Sequence, residues 1–161
     1  MTTQEYNDCV TEWADRLYRF VIKSCGNSED ARDIVQGSFE VLWKNRAQVE
    51  APKAKSYLFT VAYNQTIDRH RKSGRVIYPE HPPDAGQQGS RQQTDLKKIL
   101  DRALQQLDER SRQLILLKDY EGYSYEEIVH LAQLSLPQVK IILHRARKVL
   151  KEYLVSVEKI I

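Results

Sequence analysis

The 161-residue chain contains no apolar run near the roughly 18 residues that a membrane-spanning helix needs. Its N-terminus also lacks the charged-then-apolar pattern of a secretory signal. Both absences point to a cytoplasmic protein with no direct membrane insertion. The two cysteines, Cys9 and Cys25, are too few and too far apart for a zinc or redox motif. Each falls in helix-patterned sequence, which marks them as buried or neutral thiols. His70, His81, His130 and His144 show no ligand spacing, so neither a metal nor another cofactor is expected. No paired carboxylates, no nucleophile beside a base and no phosphate-cradling glycine loop stand out, so the chain does not read as an enzyme. Alternation of apolar and polar residues is missing over any useful length, which argues against a sheet. An all-α protein is what remains.

Net charge is small, +3, but unevenly distributed. Between Lys53 and Lys72, the cations Lys53, Lys55, Arg69, Arg71 and Lys72 face only Asp68 as an acid within the stretch, and a second basic cluster lies near the C-terminus. Between the two, Ser73–Gln93 gathers Gly74, Gly86, Gly89, Pro79, Pro82 and Pro83 among Gln, Ser and Arg. That composition cannot bury a core and reads as a flexible linker. It divides the chain into a domain at 1–72, a linker at 73–93 and a domain at 94–161. About 21 residues stretch to roughly 70 Å at most and average nearer 25 Å as a coil. The two halves can therefore engage sites tens of ångströms apart.

Three helices are expected before the linker. The first runs from about Gln4 to Cys25, with Val10, Trp13, Leu17, Phe20 and Val21 on one face, and Gly26 stops it. The second starts at Asn27 or Ser28, carries Glu29 and Asp30 in its first turn, and turns Ile34, Val35, Phe39, Leu42 and Trp43 inward. Pro52 opens the third, whose core face is Leu58, Val61, Ala62 and Ile67. After the linker, helices are expected at about Asp95–Leu107, Asp108–Tyr120, Tyr125–Ala132 and from Leu136 onward.

Two helix-start signals, Ser124-Tyr-Glu-Glu127 and Ser135-Leu-Pro-Gln138, lie eleven residues apart. In each, a serine can accept a backbone N–H three residues on while Glu127 or Gln138 reaches back. That leaves room for one short helix and a tight turn, the outline of a helix-turn-helix whose second helix enters the major groove. From Gln138 to Lys151 this helix carries Lys140, Arg145, Arg147, Lys148 and Lys151, with His144 and no Asp or Glu. Such a face neutralises phosphates, although the same charges also fit a solvated helix in any bundle.

Several pieces, taken in order, resemble the extracytoplasmic-function (ECF) group of bacterial sigma factors. They are Asp30–Phe39, Tyr57–Arg71, Leu107–Arg110, Tyr120–Ile128 and Val139–Arg147, with the linker between the first two and the rest. The resemblance implies a subunit of bacterial RNA polymerase whose first domain binds the polymerase core and the downstream (−10) promoter element. Its second domain would read the upstream (−35) element. Asp30, Asp33, Gln36 and Glu40 would then dock on the core. Lys53, Asn64, Asp68, Arg69, Arg71 and Lys72 would hold the opened downstream strand, with Tyr57, Phe59 and Tyr63 near enough to support unpaired bases, although at least one of Tyr57 and Phe59 is expected in the core. The loop Gln48–Lys53 resembles the family's pocket for an extruded base. Ser135, Gln138, Lys140, Ile141, His144, Arg145, Arg147 and Lys148 would contact the upstream element. The family also implies an anti-sigma partner. The competing reading is a helix-turn-helix regulator that acts without polymerase, which has no need for Asp30–Phe39 followed by Tyr57–Arg71.

The chain departs from the family pattern in places. Gln138 replaces the usual Thr and offers an amide that can pair with adenine. Ile141 and Ile142 replace a small polar residue and an Arg, which removes one familiar contact. Gln133 stands where Gly is frequent, Arg32 where an acid is usual, and Gly37 where a Glu is common. Val139, Leu143, Ala146, Leu150, Tyr153, Val157 and Ile160 form a heptad seam. It is expected to pack on the helix carrying Leu96, Ile99, Leu100, Ala103, Leu104 and Leu107, the alternative being a docking edge at Tyr153–Ile161.

Overall fold

In a computed structural model, which describes residues 1–73 and 91–158, every regular element is helical. The chain divides into two units, Met1–Val76 and Ile77–Ile161.

The first unit holds α1 (Thr3–Cys25), α2 (Ser28–Lys44) and α3 (Ala54–Ser73). Thr2 caps α1 through a complete capping box with Glu5. Gly26, at φ 73°, ends it in the left-handed conformation that glycine adopts without a Cβ penalty. Asn27 then accepts the Asp30 N–H and starts α2 after a turn too short for slack. Two 3₁₀ turns, Arg46–Gln48 and Ala51–Lys53, lead into α3, so Pro52 sits in the turn before the helix rather than at its first position.

All three helices pack on one another. Leu17, Phe20, Val21, Ile34, Leu42, Leu58, Phe59 and Ala62 are buried in their core, and the Phe20 and Phe59 rings lie 5.2 Å apart. Cys9 is buried, which pushes its thiol up to about 11 and keeps it neutral.

The core face of α3 differs from the apolar count. Val61 and Ile67 are half-buried, while Phe59, Tyr63 and Thr66 are buried. Contact with both α1 and α2 demands a wider arc than a single stripe. Thr66 enters it because its hydroxyl donates to the Ala62 carbonyl at 2.7 Å. Trp43 also departs from expectation. It is 37% exposed, with Tyr6 edge-on at 4.8 Å and the Arg46 guanidinium 3.7 Å from its ring.

The second unit contains α4 (Arg91–Gln105), α5 (Glu109–Ile115), a π-helical turn over Leu116–Tyr120, α6 (Tyr125–Ala132) and α7 (Leu136–Glu158). Helix α4 begins four residues before Asp95, taking in residues 91–93 that composition had placed in the linker. The rest of that stretch, 74–90, lies outside the described residues. Asp108 caps α5 by accepting the Ser111 N–H at 2.8 Å.

Leu104, Leu107, Leu114 to Leu117, Ile128, Leu131, Val139, Leu143 and Ala146 form the second core. Charged groups share it. Arg112, 3% exposed, donates to the carbonyls of Leu104 at 2.9 Å and Leu107 at 2.7 Å, and to Glu109 at 3.1 Å. The guanidinium thereby ties down carbonyls at the end of α4, adding to the Leu107 N–H that Leu104 also accepts at 3.2 Å. The heptad seam is buried at Val139, Leu143 and Ala146 and half-buried at Leu150, Tyr153 and Val157; Ile160 lies outside the described residues. Helix α4 does pack on α7, but with Leu96 and Leu100 on the exposed side.

Candidate nucleic-acid interface

The α6–α7 pair is built from two capping boxes. Ser124 Oγ accepts the Glu127 N–H at 3.1 Å while Glu127 accepts the Ser124 N–H at 3.0 Å. Ser135 Oγ accepts the Gln138 N–H at 3.3 Å, and Gln138 Oε1 accepts the Ser135 N–H at 2.9 Å. Between them Gln133 takes the left-handed conformation, φ 57° and ψ 46°, and donates from its side-chain amide to the His130 carbonyl at 3.2 Å. A non-glycine residue there stores strain of order 1 kcal/mol.

Helix α7 buries Val139, Leu143 and Ala146 and turns the other way Gln138, Lys140, Ile141, His144, Arg145 and Lys148, all exposed, with Ser135 exposed at its start. Residues i and i+4 share a face, so Ile141 and Arg145 stand together, as do Lys140 and His144. Two of the expected contacts are already engaged. The Gln138 amide oxygen belongs to the cap, so a two-point contact with adenine would require opening it. Arg147 grips Asp119 of the π turn side-on, Nη2 to Oδ1 at 2.9 Å and Nε to Oδ2 at 3.4 Å. Asp119 and, after it, Tyr125 raise the guanidinium's pKa above its ordinary value. The Tyr125 ring lies between Lys118, 4.7 Å from its centroid, and Lys140, 5.9 Å away. Neither Lys118, in the π turn, nor Tyr125, at the start of α6, is singled out by the sequence pattern.

In the first unit, α2 exposes Asp33, Gln36 and Glu40 in a line, with Gln36 donating to Glu40 at 3.3 Å. Asp30 is half-buried. Arg32 is exposed, and Gly37 faces Gln65 of α3, whose Oε1 would lie 3.1 Å from an added Cβ. On α3, Asn64, Asp68, Arg71 and Lys72 are exposed and Arg69 is partly so; Lys53 precedes the helix, also exposed, 3.7 Å from Glu50.

The aromatic support for unpaired bases shrinks. Phe59 and Tyr63 are in the core, which leaves Tyr57 half-exposed. The 46–53 loop borders an open cleft of about 630 Å³ lined by Thr2, Glu5, Gln48, Val49, Glu50 and Pro52 among others. The Met1 ammonium donates to the Arg46 and Val49 carbonyls at 2.6 and 3.1 Å on its edge. Among the described residues no cluster of His, Cys, Asp and Glu could hold a metal ion, and no helix is long and apolar enough to cross a membrane.

Sequence reasoning missed two groupings. Trp43 counts as one more apolar residue on a helical stripe, and only Arg46, three residues on, hints that it is capped by a cation at the surface. Arg112 and Glu109 have no role in the sequence reading as a pair; the signal was their position beside the unbroken apolar run Leu114–Leu117.

Known proteins share this arrangement. The sigma-70 region 2 sequence profile matches residues 9–76, and the sigma-70 region 4 profile matches residues 97–150. The ECF RNA polymerase sigma factor SigL of Mycobacterium tuberculosis is 31% identical, covering 87% of this chain and 83% of its own. SigE of Mycolicibacterium smegmatis, also an ECF RNA polymerase sigma factor, is 29% identical over 92% of this chain, which spans 61% of SigE. Among solved structures, the sigma factor RpoE in complex with the anti-sigma factor NepR from Bartonella quintana superposes with a TM-score of 0.79 at 26% identity, covering 94% of this chain and 98% of RpoE. With a helix-turn-helix in the second unit, a three-helix first unit and these matches in the same order, the chain belongs to the ECF sigma factors of the sigma-70 family.

Proposed function

We propose that this sigma factor binds bacterial RNA polymerase core through the α2 face of Asp30, Asp33, Gln36 and Glu40 and directs it to promoters. The basic end of α3, with Lys53, Asn64, Asp68, Arg69, Arg71 and Lys72, holds the downstream element. On α7, Lys140, Ile141, His144, Arg145 and Lys148 approach the upstream element in the major groove, with Ser135 at the helix start. The observation that carries this reading is α7 itself. Its apolar side is buried, its start is fixed by a capping box, and from Gln138 to Lys151 its outward side bears cations without acids.

Strand separation on this reading is binding rather than catalysis. Capture of unpaired bases repays a cost of a few kcal/mol per extruded base. No hydrolytic step is required of the chain. The cytoplasm, where polymerase works, is the expected location, and an anti-sigma protein is the expected regulator, as in the RpoE–NepR pair.

Reconstitution tests the proposal. The purified chain should co-elute with core polymerase and support transcript initiation from its promoter, whose sequence the transcripts induced by overproducing the chain will reveal. A regulator independent of polymerase would bind the duplex but neither co-elute nor initiate, and that result would replace the proposal.

A further inference from the structure

The first turn of α2 and the last turns of α3 meet at one ion pair. Arg69 Nη1 donates to Asp30 Oδ1 at 3.1 Å and lies 3.4 Å from the Asp30 carbonyl oxygen. Asp33 Oδ2 stands 3.8 Å from the same nitrogen. None of the three side chains is sealed in: Arg69 is 40% exposed, Asp30 31% and Asp33 68%. A charged ligand can therefore reach each of them. Their neighbours belong to different surfaces. Arg69 stands beside Arg71 and Lys72, and Asp30 and Asp33 begin the polar line that continues to Gln36 and Glu40. A phosphate that takes Arg69 competes with the Asp30 carboxylate, and a cationic surface that takes Asp30 competes with the guanidinium.

We propose that the Asp30–Arg69 bridge is a latch between the two surfaces. In the free chain it neutralises Arg69 and holds down affinity for a nucleic-acid strand, and docking of polymerase on α2 opens it. This rests on the assignment of α2 to polymerase and α3 to DNA made above. Coupling of this kind is reciprocal, so a bound strand tightens polymerase docking by the same factor. The pair is exposed and screened, which limits that factor to a few-fold. Asp33, more distant and more exposed than Asp30, contributes the smaller share.

Strand binding by the full-length chain alone tests the latch, using a fluorescent single strand of about 20 nucleotides at several salt concentrations. Asp30→Asn keeps the side-chain shape and should raise affinity about threefold, with a log–log salt slope steeper by about 0.7, the signature of one more cation meeting phosphate on a single strand. Asp33→Asn should give less. Glu29→Gln adds the same charge on the same turn without touching the pair and should have a smaller effect than Asp30→Asn. Arg69→Gln should abolish the gain from Asp30→Asn when the two are combined. Thermal melting of each variant confirms that the helices stay folded. With saturating core polymerase the advantage of Asp30→Asn should vanish, because the latch is already open.

Equal gains from Glu29→Gln and Asp30→Asn would reduce the effect to net charge and overturn the latch. So would an Asp30→Asn gain that persists without Arg69, or an Asp30→Asn chain identical to the wild type. A wild-type chain that binds neither strand nor core would instead sink the functional reading, and the latch with it.

Discussion

The two units close their interiors by different means. The first has three helices of at least 17 residues, and its buried polar groups are mainly hydroxyls satisfied one turn back, Ser38 on Ile34 and Thr66 on Ala62, both at 2.7 Å. The second turns from α4 into α5 within its own core, and the carbonyls at the end of α4 take a side-chain partner there. Arg112, with Glu109 as counter-charge, is that partner. The first core closes with neutral groups, whereas the turn from α4 to α5 draws an ion pair into the second, and a buried pair is costly when broken even if its formation adds little.

Removing the guanidinium gives the largest expected effect. Arg112→Ala should destabilise the second unit by about 4 kcal/mol by leaving the Glu109 charge and the Leu104 and Leu107 carbonyls buried without it. Both tryptophans, Trp13 and Trp43, lie in the first unit. Tryptophan fluorescence should therefore keep its denaturant midpoint while the helical circular dichroism gains an earlier step. If the two signals moved together, the contrast between the units would fail. Phe59→Ala is the mirror experiment. It should cost the first unit about 3 kcal/mol through lost burial and the resulting cavity, moving the fluorescence midpoint and leaving part of the helicity in place.

A smaller effect separates binding from stability. Arg145 makes no ion pair among the described residues, in contrast to Arg147 on Asp119. Arg145→Ala should weaken upstream-element binding by about 1–2 kcal/mol with an unchanged melting temperature. Arg147→Ala should lower the melting temperature as well, because it removes a tie between α7 and the π turn. The smallest effect is a gain: Gln133→Gly relieves the left-handed strain and should stabilise the second unit by about 0.5 kcal/mol after the lost amide bond to His130, read as a small rise in denaturant midpoint.

Much of this was legible in the sequence because it is local. Gly26 followed by Asn27 marks a helix end and a helix start, and the two Ser-x-x-Glu/Gln signals mark α6 and α7; each depends on residues within four positions of one another, as the structure bears out. The lines Asp33–Gln36–Glu40 and Lys140–His144 likewise follow from helical spacing. What was not legible depends on how elements meet. Periodicity could not tell which arc of α3 faces two helices, so Val61 and Ile67 gave way to Phe59, Tyr63 and Thr66. It placed Trp43 inward because apolar spacing carries no information about where the neighbouring helix stops. The π turn also lacks a composition signal, so the Asp119–Arg147 tie and the contact of Lys118 with the Tyr125 ring emerge only from the fold. Gln138 shows a residue read correctly as a cap and, for that same reason, less available as a reader of bases.

The back-to-back caps have a consequence for how this helix-turn-helix can diverge. Ser124, Glu127, Ser135 and Gln138 set the directions of α6 and α7 through backbone N–H groups, and Val139, Leu143 and Ala146 anchor α7 from beneath. Orientation and anchorage thus draw nothing from positions 141, 144, 145 or 148. If they read the upstream element as proposed, those sites form a rewritable register, where randomised libraries should yield new promoter preference while the scaffold under them keeps its melting behaviour.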